Sequence, residues 1–272
     1  MTVEATTVLS ERLARRTLWV FSAAVLIFLV APVLIVIPLS FNQSTYFSYP
    51  MTGFTLEWYE TIFSSAEWRA AIANSFIIGL SSTAIATGLG TLAAIGLSRP
   101  SFPFRGFVVP LLIAPMIIPI VVVAVSLYLV FAPLGLINTH LGVILAHAAL
   151  GTPFVVITVT ARLMAFDTNL SRAAAGLGAP PWTSFRRVML PQIMPGVATG
   201  GIFAFATSFD EVVVILFIGG TEQRTIPRQM WAGIRDQINP TILAASGLLT
   251  IFAIALFLTI GWLQGSNSTK RQ

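Results

Sequence analysis

Apolar residues run in six blocks separated by short polar or basic stretches, and each block is close to the roughly 20 residues that a helix needs to cross a hydrocarbon core. The blocks are Leu18–Ser40, Ala70–Leu97, Phe107–Phe131, Leu141–Met164, Ile193–Ile218 and Ile242–Leu263. A spanning segment must satisfy its own backbone, and these blocks are too long and too uniformly apolar for barrel strands, so the pattern predicts six transmembrane helices. The organisation that follows is an N-terminal tail over 1–17, a membrane domain over 18–264 and a polar tail over 265–272, expected to be disordered from Ser266.

Three blocks carry internal detail. In the second, Ala86, Gly90 and Ala94 recur every four residues, a stripe that lets helix backbones approach closely. The third contains Pro110, Pro115 and Pro119, which predicts a kinked or irregular span. Irregular backbone at membrane depth needs protein or a water-filled cavity beside it, so this span is expected to face a pathway. His140 and His147 stand seven residues apart near the start of the fourth block, about 10.5 Å along one helix, too far to share a metal ion. Each is expected to be a hydrogen-bonded packing residue.

Charge orients the spans. Only 9% of the 272 residues are charged and 56% are hydrophobic, which excludes an ordinary soluble domain. The basic residues Arg12, Arg15, Arg16, Arg99, Arg105, Arg162, Arg172, Arg186, Arg187, Lys270 and Arg271 fall on one side of the predicted spans. Arg69, Arg224, Arg228 and Arg235 fall on the other, so both termini are expected in the cytosol. There is no cysteine, and Lys270 is the only lysine, so the chain has no phosphate-binding loop of the G-x4-G-K-[ST] kind. The first apolar run is too long for a cleaved signal segment and is expected to be retained.

The polar stretch Ser171–Pro195 interrupts this pattern. Arg172, Ala173, Ala174 and Ala175 favour helix, Gly178 is placed to end it, and Pro180-Pro181 blocks simple continuation. Trp182, Phe185, Val188 and Leu190 then supply apolar surface around Arg186 and Arg187, before Pro191 and Pro195. That composition makes an amphipathic knob rather than a solvated linker. The spacing Ala173-Ala174, Gly178, Val188-x-Leu190-Pro191 resembles the cytosolic "EAA" loop of permease subunits in binding-protein-dependent ABC importers. In that family's pattern a glutamate stands at the position of Arg172, and isoleucine is usual at that of Val188. The resemblance implies a type I importer permease fold whose loop, about 165–192, seats a coupling helix in an ATPase subunit. Arg172, Ala173, Ala174, Gly178, Ala179, Trp182, Phe185, Arg186, Leu190 and Pro191 are the residues it assigns to that contact. It further implies two ATPase subunits that bind ATP and Mg, a second permease subunit, an extracytoplasmic solute-binding protein, and no cofactor in this chain.

Asp210 and Glu211, in Ser208-Phe209-Asp210-Glu211, are the one ionisable pair at predicted membrane depth. A carboxylate there costs at least about 2.5 kcal/mol, so it is expected to face a cavity or a partner. Successive helical residues point about 100° apart, so the two acids cannot aim at one point unless the helix breaks. Two readings remain open: Asp210 caps a half-helix beginning at Glu211, or the acids touch solute. The Ser-x-Asp-(Asp/Glu) phrase is similar to that of spermidine and putrescine permeases, which implies that Ser208, Asp210 and Glu211 meet protonated amines. The external phrase Gly53-Phe54-Thr55-Leu56-Glu57-Trp58-Tyr59 is similar too, placing Trp58 and Tyr59 near the mouth. Alone, Tyr46, Phe47, Tyr49, Trp58 and Tyr59 read as an interfacial aromatic belt. Arg224, Arg228 and Arg235 are either contacts for a docked binding protein or a solvated face.

The same machine for an amino acid, opine or phosphonate is an alternative. A proton-coupled carrier using Asp210 or Glu211 leaves the 172–191 loop unexplained, and a non-transporting scaffold predicts that deleting this loop affects assembly but no flux. No metalloprotease or serine-hydrolase motif is present, so hydrolase chemistry has no support.

Overall fold

The computed structural model describes residues 2–46, 48, 50–99, 102–236 and 240–268. Apart from one isolated bridge between Asn42 and Phe54, the described regular structure is helical. In chain order the helices are α1 (Thr2–Leu39), α2 (Glu57–Ser64), α3 (Ala66–Leu97), α4 (Arg105–Ile117), α5 (Ile120–Phe131), α6 (His140–Met164), α7 (Thr168–Gly176), α8 (Pro181–Ser184), α9 (Leu190–Asp210), α10 (Val213–Ile218), α11 (Ile226–Asp236) and α12 (Thr241–Ser268). A five-residue π turn, Phe185–Met189, joins α8 to α9.

Among the described residues, four helical stretches are long and apolar enough to cross a membrane: Ala14–Leu39, Ala66–Leu97, His140–Met164 and Pro181–Asp210. Helices α4 and α5 make a fifth if their 110° bend is one broken span. In α12 the described apolar stretch is Thr241–Leu256. The protein is therefore an all-α, multi-pass membrane protein with four, or up to five, apolar spans among the described residues.

Several boundaries differ from the sequence expectation. Helix α1 starts at Thr2 and passes through position 17 without interruption, and α12 is helical to Ser268 rather than disordered from Ser266. Positions 269–272, with Lys270 and Arg271, lie outside the described residues, as do Phe47 and Tyr49. The fifth block reaches Ile218 as two helices, α9 stopping at Asp210 and a new helix beginning at Val213.

Residues 63–235 belong to one compact unit, together with the end of α12. Its centre is α3, α6 and α9, and small residues set how closely they pack. A Cβ on Gly90 of α3 would lie 2.7 Å from Val155 Cβ of α6, and one on Gly151 of α6 would lie 2.9 Å from Ala204 Cβ of α9. Ala86 and Ala94 are fully buried in the same seam with Val155, Val159 and Ile193, so the four-residue stripe is a packing face as expected. A second core, built from Val143, Ala146, Val214, Ile215 and Ile218, joins α6 to α10, with α5 residues around it. The proline-rich third block does break, at Ile118-Pro119, where Pro119 starts α5 without a donor to continue α4.

The other unit contains residues 1–62 and 236–252. After α1 the chain folds back: the Asn42 side chain accepts from the Thr52 amide at 3.0 Å and donates to the Ser48 carbonyl at 3.0 Å. Phe41 stacks between Phe54 and Tyr59, each at 5.0 Å.

Candidate functional site

The break between α9 and α10 separates the three polar residues of the fifth block. Ser208 is buried, and its hydroxyl lies 2.8 Å from His147 Nδ1 on α6 and 3.0 Å from the Ser82 hydroxyl on α3. Ser82 in turn donates to the Gly79 carbonyl at 3.1 Å. Ser208 thus points into the seam between three helices rather than toward open space. His147 is the packing histidine expected, and its Nε2 is buried without a partner among the described residues.

Glu211 adopts an extended backbone, φ −72° and ψ 124°, which ends α9. Its carboxylate Oε1 accepts from the Val214 amide at 2.8 Å. The cap anticipated for Asp210 therefore belongs to Glu211, because α10 starts at Val213 and only Glu211 reaches its free first-turn amides. Asp210, the last residue of α9, is exposed, and no described residue hydrogen-bonds to its carboxylate. The two acids are brought adjacent in sequence but do different things.

A polar cluster fastens the N-terminal parts of α3 and α6 to the turn that follows α10. Asn74 donates to the Glu222 and Arg224 carbonyls at 2.7 and 2.9 Å, and its Oδ1 lies 3.0 Å from His140 Nε2. The Ser75 hydroxyl accepts from the Ile226 amide at 2.9 Å, and the Asn138 backbone N–H donates to the Ile218 carbonyl at 2.8 Å. Arg228 donates to the Gly220 carbonyl, and burial first, then the charge of Arg224, lowers its pKa from the usual arginine range. Of the three arginines considered for a docked protein, Arg235 is exposed while Arg224 and Arg228 are half-buried and bonded locally.

Trp58 and Tyr59 lie on α2 in the other unit, both half-buried. Trp58 Nε1 donates to the Asn42 carbonyl at 2.8 Å, and the Tyr59 hydroxyl sits 2.6 Å from Ser40 Oγ. Both polar tips are engaged in holding the fold-back after α1.

At the basic end, α7 starts with Asp167 accepting from the Asn169 amide at 2.9 Å and ends before Gly178, whose φ of +81° is the left-handed conformation glycine adopts freely. Helix α7 carries Arg172, Ala173 and Ala174, and Arg172 reaches Asn169 Oδ1 at 3.3 Å. Ala179 and Pro180 link it to α8, which opens at Pro181. Pro191 has no amide to give the Arg187 carbonyl, and the chain meets this with the π turn, in which the Leu190 amide donates to Phe185. Helix therefore resumes at Pro181 and joins α9 without a gap, so the segment is less of a loop than its prolines suggested. Arg172, Ala173, Gly178, Trp182, Arg186 and Pro191 are exposed, and the Trp182 and Phe185 rings meet at 5.5 Å. Leu177 is 90% exposed, a second large apolar side chain beside Trp182. Sequence reading passed over it, although a leucine flanked by Gly176 and Gly178 has little chance of burial.

Residues 86–267 match the family described as binding-protein-dependent transport system inner membrane component. The chain belongs to this family. It is 32% identical over 236 residues to the spermidine/putrescine transport system permease protein PotC of Escherichia coli K12, covering 87% of this chain and 89% of that one. It is 30% identical over 253 residues to the putrescine transport system permease protein PotI of the same organism, covering 90% and 89%. The fold also matches a chain of a bacterial ABC transporter involved in import of the acidic polysaccharide alginate, with a TM-score of 0.73 at 15% identity, over 94% of this chain and 97% of that one. The protein is thus a membrane permease subunit of an ABC-type importer for a small solute, a multi-pass component of the bacterial inner membrane with no enzymatic activity of its own. Family membership implies an assembly with ATPase subunits, a second permease and a solute-binding protein. No group of metal-ligating side chains occurs among the described residues.

Proposed function

We propose that this permease carries a small cationic solute, a polyamine such as spermidine or putrescine, past Asp210. The observation that carries the reading is the exposed Asp210 carboxylate at the α9–α10 break, without a partner among the described residues, beside a Glu211 already committed to its cap. A lone carboxylate at membrane depth is costly, and a passing ammonium group offsets that cost. The names of the E. coli relatives point to the same solute class. Ser208 then acts from behind, tying α9 to α3 and α6.

In this reading the bent α4–α5 pair is one span, α9 with α10 the fifth and α12 the sixth, so both termini and the 165–192 segment are cytosolic. Leu190 to Asp210 rises about 30 Å, which sets the acid in the outer half of the span. Two ATPase subunits close on ATP and Mg, each against the α7–α8 segment of one permease. The motion passes along the helix that joins α8 to α9 and alternates access to a cavity shared with a second, paralogous permease.

The test is ATP hydrolysis by the chain reconstituted with its ATPase, sister permease and binding protein, adding spermidine, putrescine and 4-aminobutyrate in turn. Stimulation by a polyamine alone supports the reading. Stimulation only by the zwitterion keeps the importer and discards the polyamine for an amino-acid-like solute.

A further inference from the structure

A cavity of about 610 Å³ opens between α4 and α6, at the end of the bundle that also carries α7 and α8. Its walls are apolar, with Val109, Ile113, Ile157 and Met164 among them, and the end of α3 closes it at Leu97. Thr160 and Arg105 are its polar lining residues, and Arg105 is exposed at the first position of α4. No acid lines it, so a cationic solute has nothing to bind there and one charge to repel it.

We propose that this groove holds an anionic phospholipid of the leaflet on the α7 side, with its phosphate on Arg105 and an acyl chain along the α4–α6 wall. The chemistry of the lining selects this occupant. An apolar slot with a single guanidinium at its mouth complements a molecule that is apolar along its length and anionic at one end. The exposed Phe104 and Phe107 flank Arg105 at the level where aromatic rings favour the membrane interface. Phe104 has φ +58°, a backbone state that a bulky residue rarely adopts, and it sets the direction in which α4 leaves the preceding turn. Gly106 lines the groove as well, and a Cβ there would meet nothing within 4 Å. Space is therefore open beside the helix backbone, next to the guanidinium. That the leaflet is the cytosolic one rests on the topology proposed above.

The test uses the purified full-length chain in detergent, with phosphatidylglycerol or phosphatidylcholine added and bound lipid read by native mass spectrometry. The wild type should retain phosphatidylglycerol about fivefold more than phosphatidylcholine, the effect of one basic residue at an anionic headgroup. Arg105→Gln should abolish the preference while leaving acyl binding. Gly106→Phe should remove both lipids, and because its side chain enters open space the helix content and melting of the protein should be unchanged. Equal binding of the two lipids by the wild type, or unchanged binding in both variants, overturns the proposal. So does a cross-link from a photoreactive residue at position 106 to a second polypeptide in native membranes, since a protein segment would then fill the groove. The chain has no native cysteine, so Ala165→Cys reports topology separately. Labelling from outside would sink the cytosolic assignment alone and leave the lipid result standing.

Discussion

The Glu211 carboxylate accepts the Val214 amide at 2.8 Å, one residue after an Asp210 carboxylate that no described residue meets. Two adjacent acids have thus been divided between structure and solution by the helix break. Glu211→Ala should expose the first turn of α10 and cost about 1 kcal/mol, seen as a lower melting temperature in detergent. Asp210→Asn should leave stability within about 0.5 kcal/mol and yet remove solute-stimulated ATP hydrolysis. Normal stimulation in the Asp210 variant would show that this acid is not on the solute path.

Ser208 bridges α9 to His147 on α6 and Ser82 on α3, so its loss strands the buried His147 Nδ1, while Ser82 keeps its bond to the Gly79 carbonyl. Hydrogen bonds between membrane helices average about 0.6 kcal/mol and reach about 1.7. Ser208→Ala should fall in that range. His147→Ala, which also opens a cavity, should cost about 2–3 kcal/mol. A double-mutant cycle on thermal or denaturant unfolding should return a coupling of about 0.6 kcal/mol. No coupling would mean that the 2.8 Å contact contributes nothing to holding the helices.

How much of this was readable beforehand depends on the range of the cause. The small-residue stripe of α3, the proline break between α4 and α5 and the two packing histidines follow from local side-chain size and chemistry, which sequence displays directly. The direction of Ser208 does not: a serine between a phenylalanine and a threonine faces solute or seam according to how α9 is rotated, and packing against α3 and α6 decides that. The split between Asp210 and Glu211 depended on where α10 starts, a shift of two residues that hydropathy cannot resolve. Pro180-Pro181 suggested an interruption, but Pro181 opens α8, and the π turn Phe185–Met189 carries the helix on past Pro191.

Gly200 and Gly88 separate packing from propensity. A Cβ on Gly200 would lie 2.8 Å from Val155 Cα, a backbone atom that cannot rotate away, whereas Gly88 has nothing within 4 Å. Gly200→Ala should push α9 off α6 and cost about 1–3 kcal/mol. Gly88→Ala should be neutral or stabilise by up to about 1 kcal/mol through helix propensity. Yields and melting temperatures of the two purified variants check this, and equal behaviour would contradict the close approach of α6 and α9.

The exposed Leu177 and Trp182 give the basic segment an apolar contact face that the folded chain leaves open, at 90% and 67% exposure. Single exposed leucines are ordinary, but two large apolar side chains flanking Gly178 and Pro180 on a turn held by its own caps are suited to fill a partner's groove. Leu177→Asp and Trp182→Asp touch no core, so each should leave the melting temperature within about 0.5 kcal/mol of wild type. Each should nevertheless weaken retention of the ATPase subunit on the purified permease by about tenfold or more, a loss of at least about 1.4 kcal/mol. Arg172→Ala loses only an exposed 3.3 Å contact to Asn169 and should have a smaller effect. If Arg172→Ala releases the ATPase while Leu177→Asp does not, the contact is electrostatic and centred on α7, and the apolar face is not what the ATPase grips.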